Sequence, residues 1–424
     1  MRTLSSKFLL AAALLATTAA LPAASFFPTS PLIQIGDDTD IFFEANASLN
    51  VTDNLYSSAN KTSSTYYSIA PGFALEYAKD SPLFVSATVS RALLYYVGLS
   101  KLNNSQDTLE VTATIDPGGP LKVGLETDYH ESARNDNLTS NGIDGKAIGE
   151  SLVRQGDYLH SLKLDYRLTE KFFLGVTISN SYNRYLNPIT IKETSGNLVY
   201  NTNPLNEINT KKLDLKVTYN APGDLIIYGF NFIHSLNDFK PAPYYSQDGT
   251  PRPEGIFKST QDNFQFTASG NLTRSGKLGL NASAGFSSTN VQSKNSAENA
   301  KTGGASYSVS LNHNLTELIS HQLTLSRSVS PTPNGANSLS NTYSYSATYS
   351  AADNLSFNFH VTRADAEVGA TQINTMNYGL GALYNYNSHF NLNASIDSSD
   401  TKFPKDSTNN FQSNSFSIGG TFRY

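Results

Sequence analysis

From residue 41 onward the chain alternates apolar and polar side chains with period two, stretch after stretch. In residues 41–51 one phase holds Ile41, Phe43, Ala45, Ala47, Leu49 and Val51, and the other holds Phe42, Glu44, Asn46, Ser48 and Asn50. A strand sends successive side chains to opposite faces, so each phase becomes one face; a helix would mix the two sets everywhere. Similar stretches follow at 65–77, 82–97, 106–116, 120–131, 157–167, 171–183, 210–219, 224–235, 262–273, 277–291, 304–315, 319–330, 341–351, 354–365, 374–387, 389–399 and 414–424. They predict about 18 strands, each about long enough to cross a bilayer at a tilt.

The connections narrow the fold class further. Short ones, such as Pro117-Gly118-Gly119, Arg274-Ser275-Gly276 and Ala352-Asp353, alternate with long ones at 53–64, 132–156, 184–209, 236–261, 292–303 and 400–413. Outer-membrane barrels have short periplasmic turns and longer outer loops. A first strand running outward places every long connection outside, and an even strand count returns the chain to the periplasm. A soluble β-sandwich has no such parity. The expected fold is therefore all-β, a transmembrane antiparallel up-and-down barrel spanning 41–424.

Residues 1–25 read as a signal peptide. Arg2 and Lys7 precede the apolar run Phe8–Ala16, which is too short to span a membrane, and small residues follow at Ala23-Ala24-Ser25. Cleavage is expected after Ser25, with Ala20 as the alternative. Residues 26–40, with two prolines and the acids Asp37, Asp38 and Asp40, form an expected periplasmic lead-in. Loss of Arg2 and Lys7 takes the formal net charge from −5 to about −7, the wrong sign for a nucleic-acid binder. With no Cys there is no disulfide framework. A mean hydropathy of −0.32, with no second long apolar run, excludes a helical membrane protein. It does not exclude a barrel, whose polar lumen phase offsets its lipid phase.

Parity assigns the lumen. Its expected lining is Glu44 and Asn46 in the first strand, Lys122, Glu126 and Asp128 in the fifth, Lys163 and Asp165 in the sixth, and Lys212, Asp214 and Lys216 in the eighth. Later strands contribute hydroxyls and amides, among them Gln265, Thr267, Ser269, Ser306, Ser308, Ser310, Gln322 and Thr324. Arg91 falls in the apolar phase of Val85, Ala87, Val89 and Leu93, where a charge is costly; a bulge near Ser90 would turn it into the lumen. Arg327 is also in an apolar phase. Tyrosines at strand ends, including Tyr77, Tyr95, Tyr129, Tyr158, Tyr166 and Tyr182, suit interfacial girdles. Aromatics in the polar phase (Phe42, Tyr66, Tyr96 and Phe173) are the candidates for stacking on a sugar. The connections at 132–156, 184–209 and 236–261 are the candidates for a constriction.

No catalytic constellation stands out. His160 has no serine neighbour in its phase for a lipase triad. Asp128 and His130 share the lumen phase, a spacing that a polar lumen supplies without catalysis. The seven His show no metal-ligand spacing, and no phosphate-binding glycine loop is found. The expectation is a non-enzyme without cofactor or metal.

The alternation at Phe416, Ile418, Phe422 and Tyr424 resembles the signal read by the bacterial outer-membrane assembly machinery. Residues 42–96, with Asp53-Asn54-Leu55-Tyr56, a Ser/Thr-rich stretch and Ile69-Ala70-Pro71-Gly72, resemble the start of the putative beta-barrel porin type 2 family. The resemblance implies a bacterial outer-membrane barrel, in some members associated with exopolysaccharide synthesis and export, and carries no catalytic residues. The expected function is a porin-like channel of a Gram-negative outer membrane. Its partners would be outer-membrane lipid and small hydrophilic solutes or a polysaccharide. A closed barrel acting through its outer loops is the alternative. The solute, the direction of transport and the oligomeric state are not legible.

Overall fold

The computed structural model describes residues 31–424 except 56, 58, 79, 80, 140–146, 187–189, 193–198, 202–206, 221, 222, 224, 241–255, 294–299, 332–336, 369 and 370. The expected signal peptide and the start of the expected lead-in lie outside the described residues. Eighteen antiparallel strands form the barrel. They are β1 (Thr39–Thr52), β2 (Ser64–Tyr77), β3 (Leu83–Tyr96), β4 (Asn104–Ile115), β5 (Leu121–Thr139) and β6 (Ala147–Arg167). Then come β7 (Phe172–Tyr185), β8 (Glu207–Asn220), β9 (Ile226–Lys240), β10 (Ile256–Asn271), β11 (Leu278–Ser293) and β12 (Ala300–Asn314). The last six are β13 (Ile319–Pro331), β14 (Asn337–Ala352), β15 (Leu355–Val368), β16 (Thr371–Asn385), β17 (Phe390–Lys402) and β18 (Phe411–Arg423). Every stretch expected from alternation is a strand.

Each strand pairs with its chain neighbours, and β18 pairs with β1 from Glu44↔Arg423 to Thr52↔Ser415. Tyr424 and Phe43 exchange both backbone hydrogen bonds, at 2.9 and 2.7 Å. Closure leaves neither the first nor the last strand with an open edge, which is what a hydrocarbon environment demands. Phe416, Ile418 and Phe422 thus sit on the closing strand, on its apolar face. In the lead-in, Ile33–Ile35 folds back on β1 across Gly36, so its described part is a short hairpin.

Register carries face identity around the ring, because residues directly opposite share a face. The face bearing Phe73, Val89, Leu125, Ile178, Phe266, Leu380 and Ile396 is apolar from β2 to β17. Phe266 is 69% and Ile396 59% exposed. Apolar surface left bare on every strand has lipid as its natural cover. This is the outer face, and the polar phase faces the lumen. The tyrosines named above lie on the outer face. Tyr129, Tyr158 and Tyr182 form a ladder with centroid separations of 4.6 and 6.3 Å.

Several expected outer loops are largely strand. β5 continues to Thr139 and β6 begins at Ala147, so 132–156 is mostly a projecting hairpin. Likewise 236–240 and 256–261 belong to β9 and β10. Alternation weakens there because strands beyond the bilayer have no lipid face to keep apolar. A small hairpin, Thr190–Lys192 with Val199–Asn201, stands between β7 and β8.

The barrel seam is clamped at its outer end by Asp53. Its carboxylate accepts hydrogen bonds from the Asn414 backbone N–H at 2.6 Å, Asn414 Nδ2 at 2.8 Å and Lys61 Nζ at 2.8 Å. Burial pushes its pKa up, but these bonds outweigh that effect and hold it below the ordinary 3.8. A depressed folded-state pKa contributes stability above the unfolded value and loses it as pH falls through the folded one. Acid below about pH 4 is therefore expected to raise amide exchange at 53–55 and 412–414. Asp53→Asn should show high exchange at these amides at neutral pH and little further rise in acid; an acid-dependent rise as large as the parent's would assign the clamp elsewhere.

Candidate functional site: the barrel lumen

The polar phase builds a two-sided lumen. On β5 to β8 the register sets opposite charges side by side. Lys122 faces Asp165, which faces Gly175, which faces Lys216. One row outward, Lys163 faces Thr177 and then Asp214; beyond that, Glu126 leads through Ser161 and Ser179 to Lys212. Ion pairs cross the rows, Lys163–Asp165 at 3.0 Å and Lys212–Asp214 at 3.6 Å, and Lys122 reaches Asp116 at 3.5 Å. Gly175 leaves the space that lets the Asp165 carboxylate lie along the wall, 3.3 Å from where a Cβ would be.

The acids of β4 and β5 are different. Glu110 is directly opposite Asp128, and Glu126 is the next lumen residue of β5. No described ion pair neutralises any of the three. Like charges facing across a ladder are unfavourable unless solvated, so this corner demands water and attracts cations. Glu110 was legible by parity in 106–116 but not singled out. The expected lumen residues Glu44, Asn46, Lys122, Glu126, Asp128, Lys163, Asp165, Lys212, Asp214 and Lys216 all share the lumen face.

Arg91 does not. No bulge occurs at Ser90: β3 and β4 stay in one register from Leu83↔Ile115 to Leu94↔Asn104. The ladder between β2 and β3 has only a gap at Pro71, which has no N–H to donate. Arg91 therefore lies on the outer face, in a bidentate pair with Asp107 at 2.6 and 2.7 Å. Beside it, Arg154 pairs with Glu131 at 2.7 Å, and Glu131 also accepts from Tyr129 at 2.5 Å. Pairing replaces the inward turn as the way to carry a charge in the apolar phase.

The remaining wall, β10 to β18, is lined by hydroxyls and amides. Gln322 and Thr324 both donate to Ser310, at 2.7 and 3.2 Å. Apart from Arg423 at the seam, one carboxylate interrupts it. Asp397 lies 3.7 Å from His360 and accepts from Ser395 at 2.9 Å. The His360 ring and the Asp397 carboxylate meet over Gly379, where any Cβ would collide with both. This dyad had no sequence signal, because its members belong to β15 and β17.

Of the four aromatic candidates, the structure leaves Phe173 with an exposed ring. Phe42 is buried under the Arg423 guanidinium, 4.1 Å from its ring centroid. Tyr66 and Tyr96 stack on each other at 4.9 Å and form one cluster with Leu94 of β3 and with Leu55, Leu99 and Leu102 from the outer connections. They wall the outer mouth rather than present faces to a solute. On the outer face His160 hydrogen-bonds Thr127 at 3.3 Å; in the lumen His130 hydrogen-bonds Thr108 at 3.2 Å.

The model of the family described as putative beta-barrel porin 2 matches residues 257–424. The resemblance expected from residues 42–96 is thus found, but in the second half of the chain. No curated protein matches the sequence. Among solved structures, the ferric yersiniabactin uptake receptor FyuA from Yersinia pestis is similar with a TM-score of 0.52 at 12% identity, over 90% of this chain and 66% of that one. The FrpB iron transporter from Neisseria meningitidis gives 0.52 at 10%, over 85% and 62%. The ferripyoverdine receptor of the outer membrane of Pseudomonas aeruginosa gives 0.52 at 8%, over 90% and 72%. The chain spans less than two thirds of the length of FyuA and FrpB. At such identities the likeness is one of fold: an outer-membrane β-barrel.

Proposed function

We propose that this barrel, whose strands β10–β18 carry the match to the putative beta-barrel porin 2 family, is a passive, water-filled channel for hydrophilic solutes across a Gram-negative outer membrane. The observation that carries this is the predominantly polar face inside a closed ring of 18 strands. Barrels of 16–18 strands leave room for an aqueous channel, and a charged, hydroxylated wall cannot form a dry core. The family resemblance favours an exopolysaccharide moving outward over small nutrients moving inward. We take the protein to act without catalysis or cofactor: His160 and His130 each engage a threonine, and beside His360 the Ser395 hydroxyl donates to Asp397 and not to the ring.

The packed aromatic and leucine cluster at the outer mouth favours a second reading, a barrel with a closed lumen that works through its outer connections. Single-channel conductance of refolded protein in planar bilayers separates the two. Steady openings with a reversal potential toward cations are expected. Protein shown folded by heat-modifiable gel mobility, yet silent, would overturn the channel.

A further inference from the structure

The lumen wall has one break in its regularity. β12 stays paired with β11 as far as Ala300↔Val291, and β13 with β14 as far as Pro331↔Asn337. Yet β12 and β13 pair only between Asn314↔Ser320 and Tyr307↔Arg327. Above Arg327 the two strands part, and the outer end of β13 lies inside the barrel. Gln261 of β10 shows this. Its Nε2 donates to Ser287 Oγ at 2.8 Å and to the Val329 carbonyl at 3.0 Å, although β11 and β12 separate β10 from β13 in the wall. Val329 Cγ2 lies 3.1 Å from where a Cβ on Gly304 would be. The lumen residues beneath are sealed: Thr289 and Val291 are 0% exposed, and Ser259 and Ser287 1%. Such burial inside a wide hydrated barrel requires a cover.

The sequence explains why this strand end leaves the wall. Pro331 cannot donate to a ladder, and Gly303 and Gly304 give β12 no side chains with which to hold a neighbour. Tucking inward buries Val329 over Gly304, while the freed strand edges lie at the outer end of the barrel, within reach of water.

Resting on the channel reading, we propose that the outer end of β13 (Ser328–Pro331) is an inner strap that sets the bore at the outer mouth, with Gln261 as its latch and Gly304 as its seat. It determines which solutes pass by size. The strap keeps its ladder to β14, and across the bore it is held by one side-chain hydrogen bond to a backbone carbonyl, so it can swing back with the end of β14 without unfolding the barrel.

The chain has no Cys, so single cysteines report cleanly. In the full-length protein, Thr289→Cys is placed under the strap and Ser283→Cys lower on the same face of β11, clear of it. A membrane-impermeant maleimide should label position 283 at least about tenfold faster. Adding Gln261→Ala should speed labelling at 289 roughly fivefold, the shift expected of one lost hydrogen bond. Gly304→Leu, which fills the seat, should speed it more. In bilayers both variants should raise conductance and the size of the largest excluded polyethylene glycol. Equal labelling at 283 and 289 in the parent would overturn the strap itself. Protected 289 with conductance and polymer cut-off unchanged in both variants would overturn its role in the bore. If labelling behaves as expected while every form is silent in bilayers, the strap stands as a cover and the channel reading fails.

Discussion

Replacing Arg423 by Ala is expected to destabilise the closed barrel by about 2–4 kcal/mol, the cost of stranding largely buried carboxylates. Arg423 sits on the closing strand but reaches across two others. Its Nε lies 3.2 Å from Glu44 of β1, and its terminal nitrogen donates to Glu76 of β2 at 2.9 Å. The guanidinium also covers Phe42. The side chain is 18% exposed, and those of Glu44 and Glu76 are 28% and 20%. An exposed pair would contribute almost nothing; this one is shielded by the wall on one side and Phe42 on another. Arg423→Lys should recover only part of the loss, because a point charge cannot serve both carboxylates in the fork geometry that Arg supplies. Arg423→Ala combined with Glu44→Gln and Glu76→Gln should recover most of it, since no charge is then left without a partner. The measurement is the midpoint of heat-modifiable gel mobility or of urea unfolding. An unchanged midpoint in Arg423→Ala would show that the seam is held by its backbone ladder alone.

How much of this could be read from the sequence follows from what kind of information each feature carries. The strands are local: Ile41 to Val51 fixes its own two faces, and the same rule repeated along the chain yields all of them. The face of each residue is local too, and parity places Lys122 and Asp165 in the lumen before any partner is known. What fails is whatever depends on a second strand. Arg91 breaks its own pattern, and a bulge is the one remedy visible within its own strand; the actual remedy, Asp107, lies across the ladder on β4. The His360–Asp397 contact needs Gly379 between them, and the Gln261–Val329 bond spans two intervening strands. Tyr66 and Tyr96 have the right phase for a sugar platform, but the connections after β1 and β3 cover them. The connections expected to narrow the bore, 132–156, 184–209 and 236–261, lie partly outside the described residues; the strap proposed above sits on a strand end instead, and it depends on the parting of β12 and β13, which neither strand's own pattern carries.

Removing the acidic corner of β4 and β5 should abolish most of the cation preference. The lysines of the lumen are largely compensated: Lys163 by Asp165, Lys212 by Asp214 and Lys122 by Asp116. Glu110, Glu126 and Asp128 have no such partners, so their field extends into the pore and enriches cations there. In Glu110→Gln combined with Glu126→Gln and Asp128→Asn, three negative charges go and the four lysines at 122, 163, 212 and 216 remain. The reversal potential in a salt gradient is then expected to fall from the cation side toward zero, because Lys122, Lys163 and Lys212 keep their own carboxylate partners. Lys212→Gln with Lys216→Gln should move it the other way. Screening gives an internal control. The Debye length is about 10 Å at 0.1 M and about 3 Å at 1 M, so the difference between parent and triple variant should be large in dilute salt and nearly vanish in concentrated salt. The variant changes no outer-face residue and removes a like-charge contact, so folding should be preserved or improved, which heat-modifiable mobility would verify. A reversal potential that stays with the parent's at 0.1 M would mean that permeating ions do not pass this corner. The conducting path would then have to be sought along the hydroxyl-lined wall of β10 to β18, where the single carboxylate is Asp397 among the described lumen residues of those strands.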